Sequence, residues 1–275
     1  MHSIHHTSSA PLLDGNDTAA VAASHVGGPY SAGVRARVRL MTVARTAGLH
    51  LSPQESGDAS GGGRVLLGEA DEVAVRALAE LIVAARHSTP VPVVAPVSGS
   101  AAHRLRETAR AVGLELNPGT PRTGVDGPRY PLGDADHATV SRLADLITTG
   151  HTRLHLAADD LRFALVAHGL NAEQVNVDAG TVVFGAIDVP DVGTLLRLLT
   201  GETGNGPDYS DDPQGCEALA ARITDAVKTV TGGGDVDAAY TPYCPRCREE
   251  AAILLHGLPL PYIARLTDHL TRTAA

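Results

Sequence analysis

Cys244 and Cys247 flank Pro245 and Arg246 in "TPYCPRCREE", residues 241–250 of a 275-residue chain whose third cysteine is Cys216. Two thiolates at this spacing can grip one tetrahedral zinc ion at about 2.3 Å each, and the ion then needs two more ligands. Cys216 and His256 are the candidates to complete the set, with His269 as the alternative histidine. The same C-x-x-C spacing at a helix start also suits a redox dithiol, because a helix N-terminus stabilises a thiolate. Arg246 and Arg248 would help that thiolate, whereas Glu249 and Glu250 would oppose it. Inert thiols are the third reading.

Other chemistry-bearing residues carry weaker patterns. His151 and His155 in "HTRLHL" would share one side of a regular strand, where a solvated or hydrogen-bonded pair outweighs a metal site. His2, His5 and His6 sit in an N-terminal segment, 1–22, expected to be disordered. Asp71, Asp136 and Asp188 recur before a predicted helix, where a carboxylate accepts the free N–H groups of the first turn. The stretches "SGDASGGGR" and "TVTGGGD" fit neither a phosphate-cradling G-x-x-x-x-G-K-[ST] loop nor a G-x-G-x-x-G turn and read as connections. No G-x-S-x-G elbow, H-E-x-x-H helix or kinase motif set is present, so no catalytic constellation is complete.

The elements that would position these residues come from an internal repeat. "RVLLGEADEVAVRALAELI" from Arg64 and "RYPLGDADHATVSRLADLI" from Arg129 align without a gap at an offset of 65, with 10 identities in 19 positions. The same offset pairs "ARTAGLHLSP" with "ARAVGLELNP". A weaker copy, "VVFGAIDVPDVGTLLRLL", matches through Val182, Gly185, Asp188, Val192 and Leu195. Apolar residues at i, i+3, i+4 and i+7 predict a closing helix in each copy: Val75, Leu78, Ala79 and Ile82, then Val140, Leu143, Ala144 and Ile147, then Val192, Leu195, Leu196 and Leu199. The expected fold class is α+β, with three tandem degenerate βαββα units at 23–87, 88–149 and 150–201 packed side by side. The opening strands are placed near "SHVGGPY", at "VPVVAP" (91–96) and at "TRLHLA" (152–157). A linker and a helical Cys-containing segment, 202–275, would follow.

Composition bounds the partners. Net charge is -9, which disfavours loose attachment to nucleic acid or anionic lipid. The chain has no Trp and two Phe, so an open sheet lacks the aromatic platform that stacks single-stranded bases. The N-terminus lacks a basic n-region followed by a long apolar run, and three cysteines make no disulfide framework; a cytoplasmic, reduced protein is expected. In "EEAAILLHGLPLPYIARL", an alanine-rich stretch, a turn at Gly257 and the run Ile263, Ala264, Arg265 resemble part of the helix-turn-helix DNA-binding family. That resemblance implies a DNA-associated protein with a helix on each side of Gly257. Pro259 and Pro261 crowd the turn, and nine residues follow Leu266 for a recognition helix. The leading expectation is a non-enzymatic binding or scaffold protein with a protein partner or homo-oligomeric contacts, zinc as its one candidate cofactor. DNA association and thiol-disulfide exchange at the CPRC motif are the alternatives.

Overall fold

A computed structural model describes residues 31–56, 64–86, 100–125, 127–202, 212–244 and 250–274. Seven helices are present among the described residues: α1 (Ala32–Thr46), α2 (Glu72–Arg86), α3 (Ala101–Ala111), α4 (His137–Ala167), α5 (Val189–Thr200), α6 (Pro213–Thr231) and α7 (Leu260–Thr273). Short antiparallel strands lie between them, so the class is mixed α+β. All twelve apolar positions that predicted the closing helices α2, α4 and α5 are buried, forming the stripes that the helical period requires. Asp71 Oδ1 accepts from the Ala74 N–H at 2.8 Å and Asp136 Oδ1 from the Thr139 N–H at 2.7 Å, as expected of helix caps. Asp188 precedes α5 without a side-chain cap bond; a proline in the first turn of that helix leaves one N–H fewer to satisfy.

The strands are held by two long antiparallel ladders. In the first, β2 (Val65–Leu66) pairs with β6 (Asp134–Ala135), and β3 (Glu69–Asp71) with β5 (Gly127–Pro131). One register runs through both, from Val65 opposite Ala135 to Asp71 opposite Arg129. Leu67 N–H donates to Gly133 O and Leu132 N–H to Gly68 O, both at 2.9 Å, which closes the gap between the named strands. Gly68 and Gly133 sit there at φ 85° and 84°, a conformation that bends each strand and that a Cβ would strain. β1 (Gln54–Glu55) and β4 (Arg122–Gly124) add to the two sides.

In the second ladder, β9 (Gly185–Asp188) pairs with β11 (Ala252–Leu255) from Asp188 opposite Ala252 to Gly185 opposite Leu255, and the bridge between Val182 and Leu258 continues the same register. β10 (Ala238–Thr241) flanks β11, while β7 (Asn176–Asp178) pairs with β8 (Thr181–Val183).

Two expected elements are replaced. Residues 152–157, predicted as a strand, belong to the 31-residue helix α4. Leu154 and Leu156 would share a strand face, but Leu154 is fully buried and Leu156 is 59% exposed, the outcome of a 100° step per residue. Leu154, Ala157, Ala158, Leu161 and Leu165 continue the buried stripe. The helix expected before Gly257 is instead β11, paired on both sides, so helix-turn-helix geometry is absent there. "AILL" is a short apolar run that periodicity alone cannot assign, and two waiting partner strands decide it. The leucines of "LHL" (49–51) and "LEL" (114–116) are buried but stand outside any ladder. The first two expected opening strands lie outside the described residues. No helix among the described residues is long and apolar enough to cross a membrane.

α4 crosses α2 at backbone contact. A Cβ on Gly150 would stand 2.1 Å from the Leu81 carbonyl oxygen, and just beyond the crossing Arg153 Nη1 donates to Ala84 O at 3.1 Å and Ala85 O at 2.9 Å, closing the C-terminus of α2. Gly150→Ala should therefore separate the two helices and lower stability by more than about 3 kcal/mol. Gly193→Ala, in α5 with nothing within 4 Å of the added carbon, should raise it by about 0.5–1 kcal/mol. Urea unfolding of the two variants measures both signs, and equal midpoints would contradict the close crossing.

Candidate functional site

One side chain breaks the apolar face of α2. Glu80 is 8% exposed among buried Ala77, Leu78, Ala79, Leu81 and Ile82. Its partner is Arg104 of α3, in an ion pair and hydrogen bond. Burial pushes the Glu80 carboxyl above its ordinary range although Arg104 pulls it down, because a desolvated carboxylate costs more than one half-exposed guanidinium returns. Tyr262 of α7 belongs to the same surroundings: burial raises its phenol, Arg104 and Arg265 lower it, and Glu80 raises it. Arg265 Nη1 donates to Thr231 O at 2.7 Å at the end of α6. The fully buried Thr231 donates its hydroxyl to Val227 O at 2.7 Å and accepts from the Gly234 N–H at 2.8 Å.

The turn between β7 and β8 closes over this cluster. Ala179 and Gly180 have φ 44° and 78°, and a Cβ on Gly180 would meet Ala77 O at 2.7 Å and Glu80 Cβ at 3.2 Å. Elements from the first ladder (α2, α3) and the second (α6, α7, the β7–β8 turn) thus converge on a buried carboxylate, two guanidinium groups and a phenol. The named polar contacts are internal, so the arrangement fastens the two ladders together.

A second ion pair stands at equivalent positions. Arg39 of α1 meets Asp145 of α4 at 2.5 Å, and adding 65 to Arg39 gives Arg104 while subtracting 65 from Asp145 gives Glu80. The Arg39–Asp145 pair is half exposed on both sides, 50% and 58%. In the sequence Glu80 interrupts an apolar helix, and the signal that it is paired is the recurrence of the four charges at one offset.

The cysteines occupy a different region. Cys216, in the first turn of α6, is fully buried, and Tyr240 of β10 is hydrogen-bonded to its side chain. Burial raises the Cys216 thiol, with the Tyr240 bond opposing, and burial followed by the Cys216 charge raises the Tyr240 phenol. Cys244 is half-buried beyond the end of β10, and Cys247 lies outside the described residues. His256 N–H donates to Asp237 O at 2.9 Å, which sets His256 before β10 begins and Cys244 after it ends, with about 10 Å of strand between them. His256 is exposed, and the stretch leading to it is strand β11 rather than a helix begun at the motif. The His269 ring Nε2 lies 3.2 Å from Leu198 O. Among the described residues no three His, Cys, Asp or Glu side chains gather as a metal-ligand set.

No family model, no curated protein and no solved structure matches this chain.

Arg104→Ala should cost about 2–3 kcal/mol by leaving Glu80 buried beside no cation, and Arg39→Ala less than about 1 kcal/mol. The pH dependence has a definite sign. A glutamate whose folded value is raised contributes stability that is full below its unfolded value and lost as pH rises through the folded one. Glu80→Gln should therefore remove a loss of stability that the parent shows as pH rises from about 4.5 toward neutrality. Unfolding free energies at a series of pH values check this, and a parent-like slope in the variant would contradict it. Separately, Cys216 should resist iodoacetamide in the folded protein at neutral pH and react once urea unfolds it, as read by peptide mass mapping.

Proposed function

We propose that this chain is a non-enzymatic protein-binding scaffold assembled from copies of one helix–hairpin–helix unit, four in number rather than three. The two ladders support this reading. Moving each member of the pair Val65 and Ala135 by the 65-residue offset yields Tyr130 and Ala70, which also pair, so the first two copies are related by an internal two-fold. Val182 and Asp188, aligned with Val65 and Asp71, pair with Leu258 and Ala252, in the places of Ala135 and Arg129. Ala135 and Leu258 each stand two residues before a helix, α4 and α7. On this view residues 213–273 are a fourth copy, and α4 serves as the last helix of the second copy and the first of the third.

Shared positions in such a scaffold are caps, bends, core and copy-to-copy ion pairs, which leaves the outer faces for partners. The observation that carries a binding role is the outer face of α4, where Leu156 (59%), Phe163 (76%) and Val166 (61%) are exposed within three turns. Phe163 is one of two phenylalanines in the chain, and the other, Phe184, is buried. Contiguous exposed apolar surface marks interaction sites, and aromatic anchors are enriched at them. Asp160 lies on the same stretch of helix, Asp159 beside it is paired with Arg162, and the whole chain carries a net charge of -9, so the complementary occupant is an amphipathic helix of another protein with basic residues beside its apolar face.

A labelled leucine–lysine model helix serves as the probe. Anisotropy titration at moderate salt should show binding that weakens at least tenfold in Phe163→Ser and in Leu156→Ser, and is unchanged in Val38→Ser, which alters another exposed apolar residue on α1. Equal affinity in all three would refute the assignment of this face, and a concentration-dependent dimer lost in Phe163→Ser would replace the basic helix by a second copy of the chain.

A further inference from the structure

His151 and His155 stand one turn apart on α4, and their Nε2 atoms are 3.2 Å from each other. The rings meet edge to face, with centroids 4.5 Å apart and planes at 76°. Two nitrogens bound to one zinc ion at about 2.0–2.1 Å and a tetrahedral angle stand about 3.3–3.4 Å apart. The two nitrogens are hydrogen-bonded to each other, as the sequence led one to expect, at nearly the separation that a shared ion imposes, so an ion would take the place of the proton that now joins them. A spacing of four residues brings side chains to the same face of a helix, so a rigid element sets this separation.

We propose that His151 and His155 form a two-histidine site for a divalent transition-metal ion of the zinc class, with water completing the coordination. Imidazole suits zinc, copper and nickel, and hard cations such as magnesium and calcium prefer oxygen. The helix that carries the pair is anchored beneath it: Leu154, Ala157 and Ala158 are buried, and Arg153 is bonded to the carbonyls of Ala84 and Ala85. His155 is exposed and His151 half-buried, so an ion and its waters can reach both nitrogens from solvent. With no third protein ligand gathered among the described residues, the ion exchanges readily and keeps open positions for a donor from a partner.

The site is distinct from the cysteines and independent of the scaffold reading. Its test uses the full chain with His2, His5 and His6 replaced by alanine in every sample, so that those imidazoles contribute nothing. Zinc chloride is titrated calorimetrically into this parent and into versions that also carry His151→Ala or His155→Ala, with thermal melting followed in parallel. The parent should bind one zinc that each further substitution weakens at least tenfold. Its melting temperature should rise with zinc, and neither single variant's should. Alanine is a better helix former than histidine, so both variants keep α4. Zinc affinity unchanged in both variants would overturn the site and assign the ion to the cysteines or another location.

Discussion

A two-stranded hairpin leaves backbone donors and acceptors open along its edges and has too little apolar surface to be stable alone. Every other feature of this molecule answers that constraint. The strand segment 65–71 finds its partner in 129–135, and 182–188 finds its partner in 252–258. Each pairing draws in the helices that precede and follow the strands, so α1 packs on α4, α3 on α2, α5 on α6, and α7 on the far part of α4. Under the proposed repeat reading the unit of folding is a pair of copies, because one copy alone satisfies neither its ladder nor its helix stripe.

The shared helix α4 then does two jobs. Its first part closes the first ladder, where Gly150 lets it lie against Leu81, and its later part covers the second through Leu154, Leu161 and Leu165. His168, just past its end, has its ring Nε2 2.8 Å from Leu270 O in α7. A helix of 31 residues spans about 46 Å, enough to serve both. The exposed Phe163 and the His151–His155 pair lie along this helix.

Much of this was legible in the residues. The 65-residue offset, the closing helices and two of the three aspartate caps follow from types and spacings along one segment at a time. What was hidden depends on encounters between distant segments. "AILL" is a strand because β9 and β10 flank it, a fact with no local signature. "TRLHLA" alternates like a strand, yet its helix continues from residues before it, and four residues is both an even number and about one helical turn, so His151 and His155 face the same way under either reading. Under the proposed four-copy reading His256 stands in the place of Gly68 and Pro259 in that of Asp71, so the residue types carry no likeness and only the ladder register does. Cys216 was in view from the start, but its hydroxyl partner Tyr240 is brought to it by the hairpin and not by spacing.

The two ion pairs related by the 65-residue offset are put to unequal use. Arg39–Asp145 and Arg104–Glu80 occupy matching positions, yet one is half exposed and the other has its carboxylate buried. The difference lies in what packs above them: the β7–β8 turn presses Gly180 onto Ala77 and Glu80 at one pair, whereas solvent reaches both partners of the other. At the position 65 residues beyond Ala77 stands Arg142, an exposed residue whose guanidinium Nη1 donates to Gly113 O at 3.3 Å. On α2 the small Ala77 lets the β7–β8 turn approach to backbone contact. The buried carboxylate therefore lies where elements of the two ladders meet, while the Arg39–Asp145 pair stays half exposed.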